Sequence, residues 1–103
     1  MPETVTASDA PTGPDGQALL VCGTHVGMRL WDEGRTKGKP DHTCPYETVG
    51  YAIEGEATVT VDGVTSTLTP GTSWHVPAGA RHHYEVKNHF KAVEATSPPA
   101  QQT

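Results

Sequence analysis

The side chains best suited to hold a metal ion or move a proton in this 103-residue chain are six histidines, two cysteines and a scatter of carboxylates. Imidazole and thiolate are common donors to transition metals, and a carboxylate beside them can act as ligand or as general acid and base. His42 and Cys44 stand two residues apart, so an extended segment turns both to one face. A thiolate there would favour zinc, copper or iron over magnesium or manganese. The competing reading of Cys44 is a small buried thiol that merely fills space. Glu47 falls on the opposite parity, unless the break at Pro45 resets it through a bulge. His75 lies between Trp74 and Val76. If those two fill the core, a strand turns His75 to the other sheet face or to a subunit interface. His82 and His83 alternate, so His83 should point away from a site that His82 faces. His25 and His89 have no supporting constellation and read as surface residues.

The elements that must position these groups are short pieces punctuated by Gly and Pro. Residues 18–23, 26–32, 48–54, 58–61, 64–68, 72–76, 82–87 and 90–95 are apolar, alternating or β-branched runs. Val49, Tyr51 and Ile53 fall on one face of the third run. Asp62-Gly63 between β-branched runs is a strong hairpin signal, because both residues tolerate positive φ. Thr69-Pro70-Gly71 forms a second turn, and Pro77-Ala78-Gly79 ends another strand. Residues 34–45 read as a polar loop. No amphipathic helix is visible. About eight short strands at regular spacing predict an all-β fold, a single antiparallel barrel or sandwich over residues 18–95.

Hydrophobic residues make up 34% of the chain, so part of it should stay outside the core. Residues 1–17 and 96–103 are Pro-rich and unpatterned, and are expected to form loosely held tails. The net charge is −5. Glu3, Asp9 and Asp15 place three of those charges in the first tail, which leaves a mildly acidic body. Such a body argues against nucleic acid as a partner, since phosphate binding wants a basic face. Arg35, Lys37 and Lys39 form one local basic cluster, either a solvated loop or a rim that attracts anions. No stretch approaches the roughly 20 apolar residues of a membrane helix. The N-terminus has no secretory pattern, so a cytoplasmic location and free thiols at Cys22 and Cys44 are expected. A nucleophile elbow, a phosphate loop, a CxxC pair and zinc-finger spacing are all missing from the sequence.

Two stretches resemble the cupin family. Its first motif places two His separated by one residue, then a Glu, then a Gly after six intervening residues. Here His42 takes the first position, Cys44 the second, Thr48 the Glu position and Gly55 the Gly, with Glu47 one residue early. The second motif runs from Gly71 through Pro77 and Gly79 to His82 without a departure. The likeness covers roughly residues 26–95. The stretches 46–51 and 73–77 are also similar to those of small one-domain cupins.

The resemblance implies an RmlC-like jelly-roll barrel whose mouth holds one divalent transition metal (Zn, Fe, Cu, Ni or Mn). Its ligands would be His42 and His82, completed by Cys44, Glu47 or His75. Glu47 is the candidate acid/base, and Tyr46, Thr48, Tyr51 and Trp74 are the candidate pocket residues. An open coordination position would bind a small oxygen-bearing molecule, with dioxygenase- or isomerase-type chemistry as the expected class. The alternative is a metal-free cupin that binds a small ligand without catalysis. A homodimer is expected, because small barrels expose sheet edges, with the apolar residues of 18–31 as the available interface.

Overall fold

The computed structural model describes residues 3–36 and 40–102. It contains six strands: β1 (Ala18–Cys22), β2 (Gly27–Thr36), β3 (Glu47–Val61), β4 (Val64–Leu68), β5 (Ser73–Val76) and β6 (His82–Ser97). All pair antiparallel in one sheet of order β1-β2-β6-β3-β4, with β5 hydrogen-bonded to the first part of β3. The all-β architecture read from the sequence is the one observed. No helix among the described residues is long and apolar enough to cross a membrane.

The strand count differs from the expected eight for a local reason. Residues 48–54 and 58–61 belong to one strand, and so do residues 82–87 and 90–95. β3 and β6 pair along almost their whole length, and the register slips between Ala52 and Glu54 and again between Gly55 and Ala57. These bulges bend the strands without ending them, which lets one long pair contribute to both ends of the barrel. Gly55 is required at the bend. Its φ is +79°, and a Cβ there would lie 1.9 Å from the carbonyl oxygen of His89. The Asp62-Gly63 hairpin forms as expected, with φ of 48° and 83° at the two turn residues.

Strand alternation sorts the side chains. On β3, Thr48, Gly50 and Ala52 are buried, whereas Glu47, Val49, Tyr51 and Ile53 are exposed. On β6, Phe90, Ala92, Glu94 and Thr96 are buried. The apolar core comprises Ala52, Ala57, Val59, Leu68, Val76, Val86, Phe90 and Ala92. Val86, Phe90 and Ala92 also line the interior cavity, so the core doubles as its floor.

Both ends, expected to be loosely held, touch the barrel. Leu19 N–H donates to the Pro11 carbonyl, Thr12 bridges Ala18, and Gln17 is buried. At the other end the Ala100 N–H donates to Thr96 Oγ1, and Gln101 Nε2 donates to the Met28 carbonyl. β2 runs on to Thr36, into the stretch read as loop. Lys37 and Lys39 of the basic cluster lie outside the described residues, as does the side chain of Arg35.

Candidate metal centre and ligand pocket

His42 and His82 are brought side by side by the backbone. The two residues exchange both N–H···O=C bonds, each 3.0 Å, as an isolated antiparallel bridge. Directly opposed residues point their side chains the same way, and the ring centroids are 4.3 Å apart. The imidazoles are therefore neighbours on one rim of the barrel. Cys44 joins them, its carbonyl fixed by the Gly79 N–H at 2.9 Å. One donor atom from each of His42, Cys44 and His82 lies within 4.8 Å of the others.

The tautomer of His82 is set by its surroundings. Its Nδ1 lies 2.9 Å from the Ala80 carbonyl oxygen, which can only accept. In the neutral ring Nδ1 carries the proton, and Nε2 keeps its lone pair for a ligand role. His82 is buried, Cys44 half-buried and His42 exposed, so the cluster spans from the interior to the mouth. This donor set suits a transition metal. Nitrogen and sulfur ligands about 2.0–2.3 Å from a tetrahedral ion stand under about 4 Å apart. A spread within 4.8 Å closes to that by side-chain rotation.

Glu47 and His75 are elsewhere. Both are exposed on the outer face, where His75 Nε2 and Glu47 Oε1 pair at 3.0 Å. Pro45 does not reset the parity. Alternation continues from Glu47 outward to Thr48 inward, so neither Glu47 nor His75 lines the cavity with His42 and His82. Tyr51 lies on the same outer face, 51% exposed, and is likewise not part of the cavity wall. Tyr46, Thr48 and Trp74 do line it. His83 pairs with Asp41 and His89 with Asp32 at the surface. The hydrogen bond from His83 holds the Asp41 carboxyl below its usual value.

The cavity beneath the histidines has a volume of about 330 Å³. Its wall includes residues that the sequence reading passed over: Arg29, Trp31, Tyr84 and Glu94, with Asp15 and Glu33. Arg29 and Glu94 are register partners on β2 and β6 and form a buried ion pair. Trp31 Nε1 donates to the same Glu94 oxygen at 2.7 Å. The Arg29 guanidinium carbon lies 5.3 Å from the Trp31 ring centre and 5.4 Å from that of Tyr46. Trp74 lies flat over Gly50, where any Cβ would meet its ring, and its Nε1 donates to the Tyr84 hydroxyl at 3.1 Å. Burial pushes the Tyr84 phenol well above its usual value, and the charge of Glu94 adds to the rise. Burial and a hydrogen bond with Cys44 push Tyr46 up to about 12. The sequence did hold a signal for the Arg29 wall, the alternation of Arg29, Trp31 and Glu33 along one strand face.

The sequence profile of the cupin domain family matches residues 31–95. The structure superposes on an RmlC-like cupin from Shewanella frigidimarina with a TM-score of 0.85, covering 99% of this chain and 96% of that one at 21% identity. An RmlC-like cupin family protein from Methanocaldococcus jannaschii, with a double-stranded β-helix fold, gives 0.71 over 95% and 91% of the two chains at 19% identity. Among curated proteins, quercetin 2,3-dioxygenase of Bacillus subtilis is 39% identical over 60 residues, which is 57% of this chain and 18% of that protein.

Proposed function

We propose that this chain, which belongs to the cupin domain family, binds one divalent transition metal at the mouth of its barrel and uses the cavity below to bind or act on a small oxygen-bearing molecule. The observation that carries the reading is the convergence of His42, Cys44 and His82, with His82 Nδ1 already engaged so that Nε2 is left to coordinate. A metal in such a site acts as a Lewis acid or redox centre toward a bound oxygen ligand. The dioxygenase activity of the Bacillus relative lends weight to oxygenation as the class, with isomerisation as the second.

The chain's own residues supply the rest. Trp74, Phe90 and Tyr84 give the ligand a flat apolar wall, and Ala92 and Val86 close the floor against water. The carboxylates that reach the cavity are Glu94, Glu33 and Asp15, not Glu47. Glu94 is committed to Arg29 and Trp31. Glu33 and Asp15 are the other two carboxylates on the wall, and Asp15 is the first acid/base candidate.

The test is cobalt(II) titration followed by absorbance. Wild type should bind one equivalent and show a thiolate charge-transfer band, and Cys44→Ser should lose the band while keeping weaker binding. Loss of a partner that merely orients a ligand weakens a metal site about 10- to 100-fold, so His82→Ala should weaken it by at least that much. A Cys44→Ser spectrum identical to wild type would remove the thiolate from the site. No cobalt binding at all would favour the metal-free ligand-binding barrel.

A further inference from the structure

We propose that the cavity takes a small, flat organic monoanion, a carboxylate or enolate whose charged oxygen is met by Arg29. The inference rests on the barrel interior being the ligand site proposed above.

A guanidinium keeps its charge under all ordinary conditions, and Arg29 is 9% exposed. A buried ion pair is no better for stability than a well-packed apolar pair of the same size, so Arg29 and Glu94 are not explained by folding alone. The donors of Arg29 are also incompletely used. Glu94 is met through one terminal nitrogen, whereas the buried Nε has no hydrogen-bond partner among the described residues. The aromatic rings of Trp31 and Tyr46 flank the guanidinium, and the Tyr46 hydroxyl also accepts a hydrogen bond from it, a neutral partner that leaves room for a charged one. The small part of the Arg29 side chain that stays accessible faces the cavity it lines, and a ligand oxygen there would meet the guanidinium.

A second donor stands on the same wall. The Tyr84 hydroxyl accepts from Trp74 Nε1, which leaves its own O–H to give to a ligand oxygen. Guanidinium and phenol together describe an oxyanion site, since both donate and charge-assisted bonds to Arg are the stronger kind. Trp74 and Phe90 ask for a flat body. Glu94, Glu33 and Asp15 on the same wall repel a second negative group, which selects a monoanion over phosphate or a polycarboxylate.

Benzoate and its neutral counterpart benzamide are the probes. Trp31 and Trp74, the two tryptophans of the chain, both line the cavity, so intrinsic fluorescence reports occupancy. Benzoate should bind at least about ten-fold more tightly than benzamide, the worth of a hydrogen bond to a charged group. Arg29→Met should abolish the difference. Because that variant leaves the buried Glu94 without its counter-charge, the charge-neutral pair Arg29→Met with Glu94→Gln serves if the single variant fails to fold. Glu94→Gln alone frees Arg29 of its competitor and keeps an acceptor for Trp31, so benzoate affinity should rise. Equal binding of benzoate and benzamide, or no gain in Glu94→Gln, overturns the proposal.

The titrations are run with and without one equivalent of zinc. Arg29-dependent benzoate binding in a protein that holds no zinc would sink the metal reading and leave this one standing. Zinc held through His42 and His82, with no preference for benzoate, would do the reverse.

Discussion

Tyr46 and Tyr84 connect the His42, Cys44 and His82 cluster to the cavity wall, and burial makes both reluctant to ionise. For an acid that is neutral when protonated, a raised folded-state value means that the native state holds the proton more tightly than the unfolded chain. The contribution to stability is therefore complete below the ordinary phenol value of 10.0 and is lost as pH climbs from there toward about 12. In the metal-free protein at pH 11, unfolding should expose both phenols and raise the phenolate absorbance. Tyr84→Phe should cut that step by about half, the share of one of two hidden groups. A step of unchanged size would mean that Tyr84 already ionises in the folded state.

The same scale shows what the sequence could say of the site. His42, Cys44 and His82 were legible because the motif spacing carries them. Glu47 was misplaced because Pro45 left its parity open, and a one-residue shift in a strand reverses the face. The strand parity of His75 between Trp74 and Val76, by contrast, already turned it outward, as observed. Tyr51 was misplaced too, since the run Val49, Tyr51 and Ile53 shows one common face without saying which side is inward. Arg29 and Glu94 were missed because their meeting depends on the β2–β6 register, which the sequence does not disclose.

At the scale of elements, the long β3–β6 pair carries the architecture. Gly55 permits the bend at which His89 approaches its backbone. Gly55→Ala adds a Cβ against that carbonyl and strains a positive φ. It should destabilise the fold by about 2 kcal/mol or more, combining backbone strain of about 1–3 kcal/mol with steric displacement. Urea denaturation checks it, and a change below about 0.5 kcal/mol would show that the bulge relaxes freely. This bend also explains the strand count. Gly55-Glu56 and Asn88-His89 read as breaks in a linear scan, but two successive register slips along the β3–β6 ladder bend both strands together. The turns at Asp62-Gly63 and Gly71 were legible because their chemistry is local.

The whole molecule presents an apolar outer face opposite the cavity. Across the register, Met28, Ala95 and Val49 form one row and Leu30, Val93 and Tyr51 the next. Met28, Val49 and Tyr51 are each at least 40% exposed. The homodimer expected from the sheet edges has its best surface here, on β2, β6 and β3 together, a broader patch than the residues 18–31 read from sequence. Tyr51→Glu should shift sedimentation toward the monomer, because charges are depleted from interface cores. A wild type that sediments as a monomer at micromolar concentration would remove the dimer.

The central claim is that one metal ion is held by His42 and His82 with Cys44, and metal stoichiometry tests it most directly. Protein purified without an affinity tag is measured by native mass spectrometry and elemental analysis, beside the His42→Ala, His82→Ala double variant. The account predicts close to one transition-metal ion per chain in wild type. It predicts none in the double variant, whose folded barrel should be intact by circular dichroism. Full metal occupancy in the folded double variant would contradict it.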